Sequence, residues 1–489
     1  MYIENSTMEK LPNELLIKVA SDLDRESLRS LALVSKKMEP VARDLLWRAV
    51  RVPDRTLPDE PSGIAALAHI LVQNPSLGNI VRSLELHPED RMVTVEPSLM
   101  SPQRPFMPHS SLGQVNECAL VGFILEQTSE LEVLKLEVLA EEQSYRHEYD
   151  YQRYTDAISP FEMIFGPQSS SYPEGLAKLK ELHFNAQVFE WSWCELTSLK
   201  VLHIGRGCRL LEDTKVPDSS LTSSIDTLTW DMCTSQFKSE DPEKTDDFLS
   251  RFSSLKVLEI WLSNVIVKQA DRDSPQEYRK VVKDSLYDQW MYNDSLDEPL
   301  YHFVTEQLSS LTDTLDSLAL RISEKGCEDR WYVGKLDHAD YSSFTKLRRL
   351  ELPHWLLTGP SEERPMAEVG DILPSTLEEL VITRLDDVED SIWNITDGII
   401  FARRHHGGFP ELRKVTLDEI GRPIDKDWAG GPISRLQELG IEVEAWVPDW
   451  SSDEYWESRS SSDSDRHKAW MSSEPRHLLL PPRPSTGLI

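Results

Sequence analysis

A short alternation of leucine and polar residues recurs along most of the chain, in the form LxxLxL or a close variant. Alternate apolar positions are typical of a strand with one buried face. The pattern predicts eleven strands, which lie within residues 80–86, 131–139, 176–184, 196–204, 224–230, 252–260, 314–322, 344–352, 373–382, 409–417 and 436–446. The penultimate apolar residue serves as the marker of each strand, giving Leu84, Leu134, Leu182, Leu202, Leu228, Leu258, Leu318, Leu350, Leu380, Val415 and Leu439.

Between several of these segments, apolar residues recur at intervals of three and four, which predicts amphipathic helices. These helices lie within residues 63–73, 115–128, 245–252, 300–308 and 390–404. A strand followed by a helix and then another strand is the crossover unit of a parallel sheet. The expected fold class is therefore α/β, with neighbouring strands that pair in chain order.

The first fifty residues follow a purely helical pattern. A helix is predicted by apolar residues four apart, namely Leu11, Leu15, Val19 and Leu23. Pro12 suits its first helical position because proline has no N–H to donate. Two short helices follow, the first capped by Asp24 and the second beginning near Lys37, so that Pro40 lies in its first turn. Such a small unit buries little surface, so we expect other residues or another protein to cover an apolar face.

The order of residues in this segment resembles the F-box family. The resemblance is carried by Leu11, Pro12, Glu14, Leu15, Leu16, Val19, Leu23, Leu28, Leu31, Val34, Ser35, Leu46 and Trp47. It implies an F-box at residues 8–52 that docks on the Skp-type adaptor of a cullin-RING ubiquitin ligase. The docking residues that it implies are Leu11, Pro12, Leu16, Val19, Leu28, Leu31, Val34 and Met38. Met38 departs from the family, which usually has an aromatic residue there.

Residues 63–446 resemble the leucine-rich-repeat domains that commonly follow an F-box. The markers are 20 to 60 residues apart, whereas regular repeats have periods of about 20 to 29 residues. Regular repeats also place Asn or Cys shortly after the strand, and only Cys233 fits that position. The resemblance therefore implies an irregular, distorted α/β solenoid with a curved parallel sheet.

Three inserts interrupt the predicted solenoid, at residues 87–112, 140–173 and 263–298. Long inserts in a repeat fold lie on its rim, where partners are often bound. Their aromatic residues are candidate substrate contacts, or they pack the inserts onto the solenoid: Tyr145, Tyr149, Tyr151, Trp290 and Tyr292.

The last segment, residues 447–489, is acidic, rich in serine and without periodicity, which predicts a disordered tail. Ser451, Ser460 and Ser462 each precede an acidic residue by three positions, the pattern that acidophilic kinases favour. These serines are candidate phosphosites, although short patterns of this kind also arise by accident.

The net charge of the chain disfavours some classes of binding partner. The chain has 84 Asp and Glu against 52 Lys and Arg, a formal net charge of -32. This charge disfavours nucleic acid and membrane surfaces and favours a basic or neutral protein segment. The five cysteines have no paired spacing, which indicates a reducing compartment, cytoplasmic or nuclear. No apolar run approaches the length of a membrane span.

No motif singles out an active site. Gly205 and Gly207 follow a predicted strand, but Leu210 takes the third position of a dinucleotide loop, so a repeat turn is the better interpretation. His405 and His406 lack further ligands at metal spacing and fit a helix end. We expect a non-enzymatic substrate-recognition subunit of a cullin-RING (SCF) ligase, with no cofactor and an unidentified protein substrate. The alternatives are a leucine-rich scaffold outside any ligase and an enzyme such as a hydrolase, whose carboxylate pair the sequence does not single out.

Overall fold

The chain divides into two compact units, Met1–Ile225 and Asp226–Ile489. The computed structural model describes residues 11–52, 61–89, 91–95, 114–138, 164, 174–186, 188–205, 208–210, 223–233, 248–263, 308–322, 341–358, 369–383, 389–418 and 431–445.

The first unit begins with three short helices, α1 (Asn13–Ala20), α2 (Arg25–Val34) and α3 (Met38–Arg48). The Asp24 carboxylate caps α2 by accepting a 2.7 Å hydrogen bond from the Ser27 amide. α3 begins directly after Lys37, as Pro40 requires. The predicted cap of α2 and the predicted start of α3 are both confirmed.

Pro12 lies one position earlier than predicted, because it precedes α1 instead of opening it. Its carbonyl accepts the amides of Leu15 and Leu16, each at 3.1 Å, so it still starts the first turn. The three helices enclose a small core of Leu16, Ala20, Leu28, Met38, Val41 and Ala42. Partly buried apolar residues complete it, namely Leu11, Leu23, Leu31, Ala32, Leu45 and Leu46.

The described residues of the first unit also form nine strands. These are β1 (Ala49–Arg51), β2 (Ser83–Leu86), β3 (Met92–Thr94), β4 (Gln114–Asn116), β5 (Val133–Glu137), β6 (Glu181–Asn185), β7 (Val188–Phe189), β8 (Val201–Ile204) and β9 (Arg209–Leu210). Strands β1, β2, β5, β6 and β8 pair in parallel and in chain order. β3 pairs antiparallel with β4, so the segment predicted as an insert at residues 87–112 contains a short strand. β7 pairs in parallel with β9.

Two helices of the first unit, α4 (Gly63–Gln73) and α5 (Glu117–Gln127), pack against each other and confirm the predictions for residues 63–73 and 115–128. The carboxylate of Glu117, which is buried, ties them together by accepting the Ser62 hydroxyl at the start of α4. It also accepts the Glu89 amide at 2.8 Å and the Arg91 guanidinium at 3.3 Å. Single 3-10 turns lie at Pro75–Leu77, Glu174–Leu176 and Trp191–Glu195.

The described residues of the second unit form seven parallel strands that pair in chain order. They are β10 (Thr227–Cys233), β11 (Val257–Ser263), β12 (Ser317–Ile322), β13 (Arg349–Pro353), β14 (Glu379–Thr383), β15 (Lys414–Leu417) and β16 (Glu442–Ala445). The helical segments are α6 (Trp355–Thr358), α7 (Val369–Ile372), α8 (Glu389–His405) and α9 (Pro432–Glu438), with 3-10 turns at Leu249–Arg251 and Leu308–Leu311. α8 confirms the helix predicted within residues 390–404.

The strand markers explain the leucine pattern. In the first unit Leu84, Leu134, Leu182 and Leu202 are successive register partners, and each is buried. Three residues before each strand marker, a second buried apolar residue closes the preceding turn, as at Leu179, whose amide donates to the Leu176 carbonyl at 3.1 Å. The two leucines of LxxL are thus one turn residue and one strand residue, and both face the core.

The marker Leu439 is wrong. The register partner of Val415 is Val443, because α9 continues to Glu438 and the strand begins only at Glu442. Gly440 lies between them with a φ of +79°, a conformation that favours glycine and that ends the helix.

The mixed α/β class, the helical start and the parallel pairing of the strands are confirmed. The solenoid form and its curvature stay predictions. Within the part of the chain that the structure describes, no helix has the length and apolar character to cross a bilayer.

Candidate docking surface and sheet-face clusters

The helical start exposes large aliphatic side chains. Leu33 and Val34 at the end of α2 are 88% and 79% exposed, and Leu15 and Val19 on α1 are 49% and 45% exposed. Ile17 is also exposed. Single exposed leucines are ordinary, but five exposed large aliphatic side chains within twenty residues make the outside of this helical unit unusually apolar. We call Leu15, Ile17, Val19, Leu33 and Val34 the apolar surface.

The structure sorts the eight docking residues implied by the family resemblance into three groups. Pro12, Val19 and Val34 are exposed. Leu11 and Leu31 are half-buried at the edge of the helical core. Leu16, Leu28 and Met38 are buried inside it, where they support the packing of the helices, and their contact with a partner stays a prediction.

The sequence analysis did not select Leu15, Ile17 and Leu33 as docking residues, although the number of apolar residues in these helices indicates that some are exposed. α1 carries more apolar residues than one buried helical stripe can hold, since Leu16 and Ala20 already fill the face toward the core. The remaining apolar residues of α1 must point outward. The same holds for Leu33 and Val34, because Leu28, Leu31 and Ala32 already occupy the face of α2 that packs on the core.

Polar contacts hold this surface in place. The Lys37 ammonium donates to the Leu11 carbonyl at 2.9 Å, which fixes the entry to α1 against the start of α3. Hydrogen bonds from Ser27 lower the pKa of Asp24, so the cap of α2 stays ionised at neutral pH. The first fifty residues carry eight acidic and eight basic side chains, and the surface therefore lies in a segment with no net charge.

Leu16→Ala should destabilise the helical core instead of weakening docking directly. Leu16 is buried, and a buried leucine truncated to alanine typically costs about 2–5 kcal/mol of unfolding free energy. Hydrogen exchange of α3 amides should therefore accelerate strongly. Leu15→Ala on the same helix is the matched control, and it should cost less than about 1 kcal/mol because Leu15 is exposed. Equal acceleration in both variants would contradict this assignment.

In the second unit, charged side chains form a row across the sheet face opposite the marker leucines. We call it the charged ladder: Glu259, Arg321, Glu351, Arg349, Glu379, Lys414 and Glu444. Each member is within 4.0 Å of the next, and the four carboxylates outnumber the three cations by one.

Arg321 is the centre of the charged ladder. It donates to Glu259 at 2.6 Å and to both oxygens of Glu351 at 2.5 and 3.0 Å. Its guanidinium lies 5.0 Å from the centre of the Trp261 ring, whose N–H donates to Glu259 at 2.7 Å. Burial opposes the charge of Arg321, but the hydrogen bonds to Glu351 and the nearby carboxylates outweigh it and raise its pKa. Arg321 is therefore a permanently charged bridge between three strands.

In the first unit, two histidines and a carboxylate cluster on the sheet face opposite the marker leucines. His183 on β6 is the register partner of His203 on β8, and their rings stack with centroids 4.0 Å apart. Glu181 Oε1 lies 2.5 Å from His183 Nε2. One ligand atom from each of the three residues lies within 4.8 Å of the other two. Burial, followed by the proximity of His183, lowers the pKa of His203 to about 4, so its ring is neutral at pH 7.

Other predicted residues do not join these clusters. Gly205 directly follows β8, and its amide donates to the Phe184 carbonyl on β6 at 2.7 Å, whereas Gly207 lies outside the described residues. His405 ends α8 as expected, and the His406 amide donates to the Ala402 carbonyl. The predicted substrate contacts and phosphosites lie outside the described residues and stay predictions: Tyr145, Tyr149, Tyr151, Trp290, Tyr292, Ser451, Ser460 and Ser462. The tail at residues 447–489 lies outside them too, as do nearly all residues of the inserts at 140–173 and 263–298.

Comparison with known families agrees with the helical start. The F-box-like family profile matches residues 8–52. The chain therefore contains an F-box-like domain, and that domain points to a non-catalytic adaptor family whose members generally bind Skp-type adaptors. A search of curated proteins found no matching relative.

Proposed function

We propose that this chain is a substrate-recognition subunit of a cullin-RING (SCF) ubiquitin ligase. The F-box-like domain binds a Skp-type adaptor and through it a cullin. The remaining α/β part acts as a leucine-rich-repeat-like solenoid that holds a protein substrate. The observation that carries the proposal is the apolar surface on the F-box-like domain.

The apolar surface supports docking for an energetic reason. Burying a large aliphatic side chain contributes about 1.5–3 kcal/mol relative to leaving it in water. Leu33 and Val34 forgo most of this contribution in the free chain, because both are more than three quarters exposed. A partner that covers Leu33 and Val34 gains this burial free energy, and no charge has to be removed from water for it.

The sheet face of the second unit is the substrate surface in this proposal. The charged ladder and Trp261 offer hydrogen-bonding and aromatic groups on consecutive strands, which suits an extended protein segment that crosses them. Its carboxylates outnumber its cations, and the whole chain carries a net charge of -32. The substrate segment is therefore basic or neutral, because complementary potential speeds encounter and disfavours anionic competitors.

Charge reversal on β16 tests this substrate surface. Proximity labelling after proteasome inhibition first supplies candidate substrates. The variant Glu442→Lys/Glu444→Lys should then bind a basic substrate at least about tenfold more weakly, because two favourable charges become repulsive. Affinity is measured with the purified full chain at low and physiological salt, and the difference should shrink as salt rises.

The matched control is Glu411→Lys/Glu438→Lys. It changes the net charge by the same amount in the same unit, but these side chains are exposed in a loop and on α9, away from the sheet face. Substrate affinity should change little in this control. If both double variants lose affinity equally, general charge determines binding and the proposed surface is wrong.

A further inference from the structure

A second site lies far in sequence from the F-box-like domain. We propose that Glu181, His183 and His203 bind a divalent transition-metal ion, with Zn²⁺ as the best fit. Nothing in the adaptor-docking proposal requires this site, so each proposal can fail without the other.

The backbone brings the three ligands together. Glu181 and His183 are two residues apart on β6, and alternate residues of a strand share one face. His203 lies directly opposite His183 on β8. Between them, Leu182, Phe184, Leu202 and Ile204 are buried on the other face, so the positions of the three polar side chains are set by the hydrophobic core. Loop rearrangement is not needed to assemble the site.

The donor set suits zinc. Two imidazole nitrogens and one carboxylate oxygen are a ligand combination that binds Zn²⁺ in proteins, usually with water at a fourth position. Donors around one tetrahedral zinc lie roughly 3.3–3.5 Å apart. Here the atoms lie within 4.8 Å of one another, and the two imidazole rings, which stack in the free protein, must rotate so that one nitrogen of each points at the ion.

The accessibility of the ligands also fits. The side chains of His183 and Glu181 are 31% and 36% exposed, which leaves a path for the ion and room for a water ligand. Hard ions such as Mg²⁺ and Ca²⁺ prefer sites built from oxygen alone, so they should bind this set weakly.

One neighbouring group opposes the metal. Lys135 on β5 is the register partner of His183 and is exposed on the same face. Its positive charge repels a bound cation, and this repulsion gives the proposal a signature that damage to the fold would not reproduce. Removal of the lysine should tighten metal binding, whereas removal of a ligand should weaken it.

Calorimetric titration of Zn²⁺ into the chelator-treated full chain tests the site. His203→Gln should lower the affinity for one equivalent of Zn²⁺ by at least about tenfold. Loss of a direct ligand should cost no less affinity than loss of an outer-shell partner. Glu181→Gln should act in the same direction, and its partly exposed side chain makes misfolding a lesser concern. Lys135→Ala should bind the same equivalent more tightly than the parent does.

The matched control is His405→Gln/His406→Gln, which removes two other histidines from the end of α8. This control should bind zinc as the parent does. Co²⁺ offers a direct check, because a tetrahedral site changes its visible spectrum, and that spectrum should be lost in His203→Gln. Equal zinc stoichiometry and affinity in parent and His203→Gln would overturn the proposal, as would loss of the zinc equivalent only in the α8 control.

Discussion

Replacement of Leu15 and Val19 by glutamate should weaken binding of the Skp-type adaptor by at least about a hundredfold, because each truncated interface anchor commonly costs more than about 1 kcal/mol and an unpaired buried charge costs more. Both side chains project from α1 into solvent, so the helical core should remain folded. Calorimetry with the purified chain and adaptor measures the affinity, and circular dichroism checks the helices.

The matched control places the same charges elsewhere. Ile70→Glu/Met92→Glu alters two aliphatic side chains that are also exposed but lie outside the F-box-like domain. Adaptor affinity should be unchanged in this variant. The docking assignment is wrong if Leu15→Glu/Val19→Glu binds the adaptor as tightly as the parent, or if the control loses affinity to the same extent.

Arg321→Ala should destabilise the second unit by about 3–5 kcal/mol, the usual cost of removing one partner from a buried ion pair. The Glu351 side chain is only 7% exposed, so the loss of Arg321 leaves a carboxylate with little water and one remaining ion pair, a single long contact to Arg349 at 3.4 Å. Hydrogen exchange should accelerate in β11, β12 and β13, the three strands that Arg321 bridges. Arg321→Lys should recover only part of the loss, since an ammonium cannot donate to both Glu351 oxygens in parallel.

Arg349→Ala provides the comparison within the same row. The Arg349 side chain is 43% exposed, and Glu351 keeps its bidentate bond to Arg321 in this variant. The expected cost is therefore below about 1 kcal/mol, as for other exposed ion pairs. If the two alanine variants accelerate exchange equally, the buried carboxylate is not what makes Arg321 important.

The parallel sheet was predictable because successive strands have buried apolar residues, mostly leucines, at the same two positions. A turn residue such as Leu179 and a strand residue such as Leu182 face the core three positions apart, so the pairing register is visible in the sequence. The pattern failed at Leu439, because Leu436 at the end of α9 and Leu439 just after it have the same spacing as a turn residue and a strand residue. Only residues 439–441, which include Gly440, separate the helix from the last strand.

The candidate sites were less predictable, for two physical reasons. The family resemblance identified the F-box-like domain but could not separate docking residues from core residues, since Leu15 and Leu16 are adjacent leucines with opposite exposure. The histidine cluster was missed because its members come from two different strands. Alignment of the strand markers would have revealed it, since His183 and His203 each follow a marker leucine by one position.

Co-purification of the intact protein from its own cells tests the central claim most directly. The tagged full chain is isolated at physiological salt beside Leu15→Glu/Val19→Glu, and the bound proteins are quantified by mass spectrometry. We expect the parent to retain a Skp-type adaptor and a cullin in near-equal amounts, and the variant to lose both while keeping its substrate. Recovery of the parent without any Skp-type adaptor would contradict the assignment of this chain as a ubiquitin-ligase receptor.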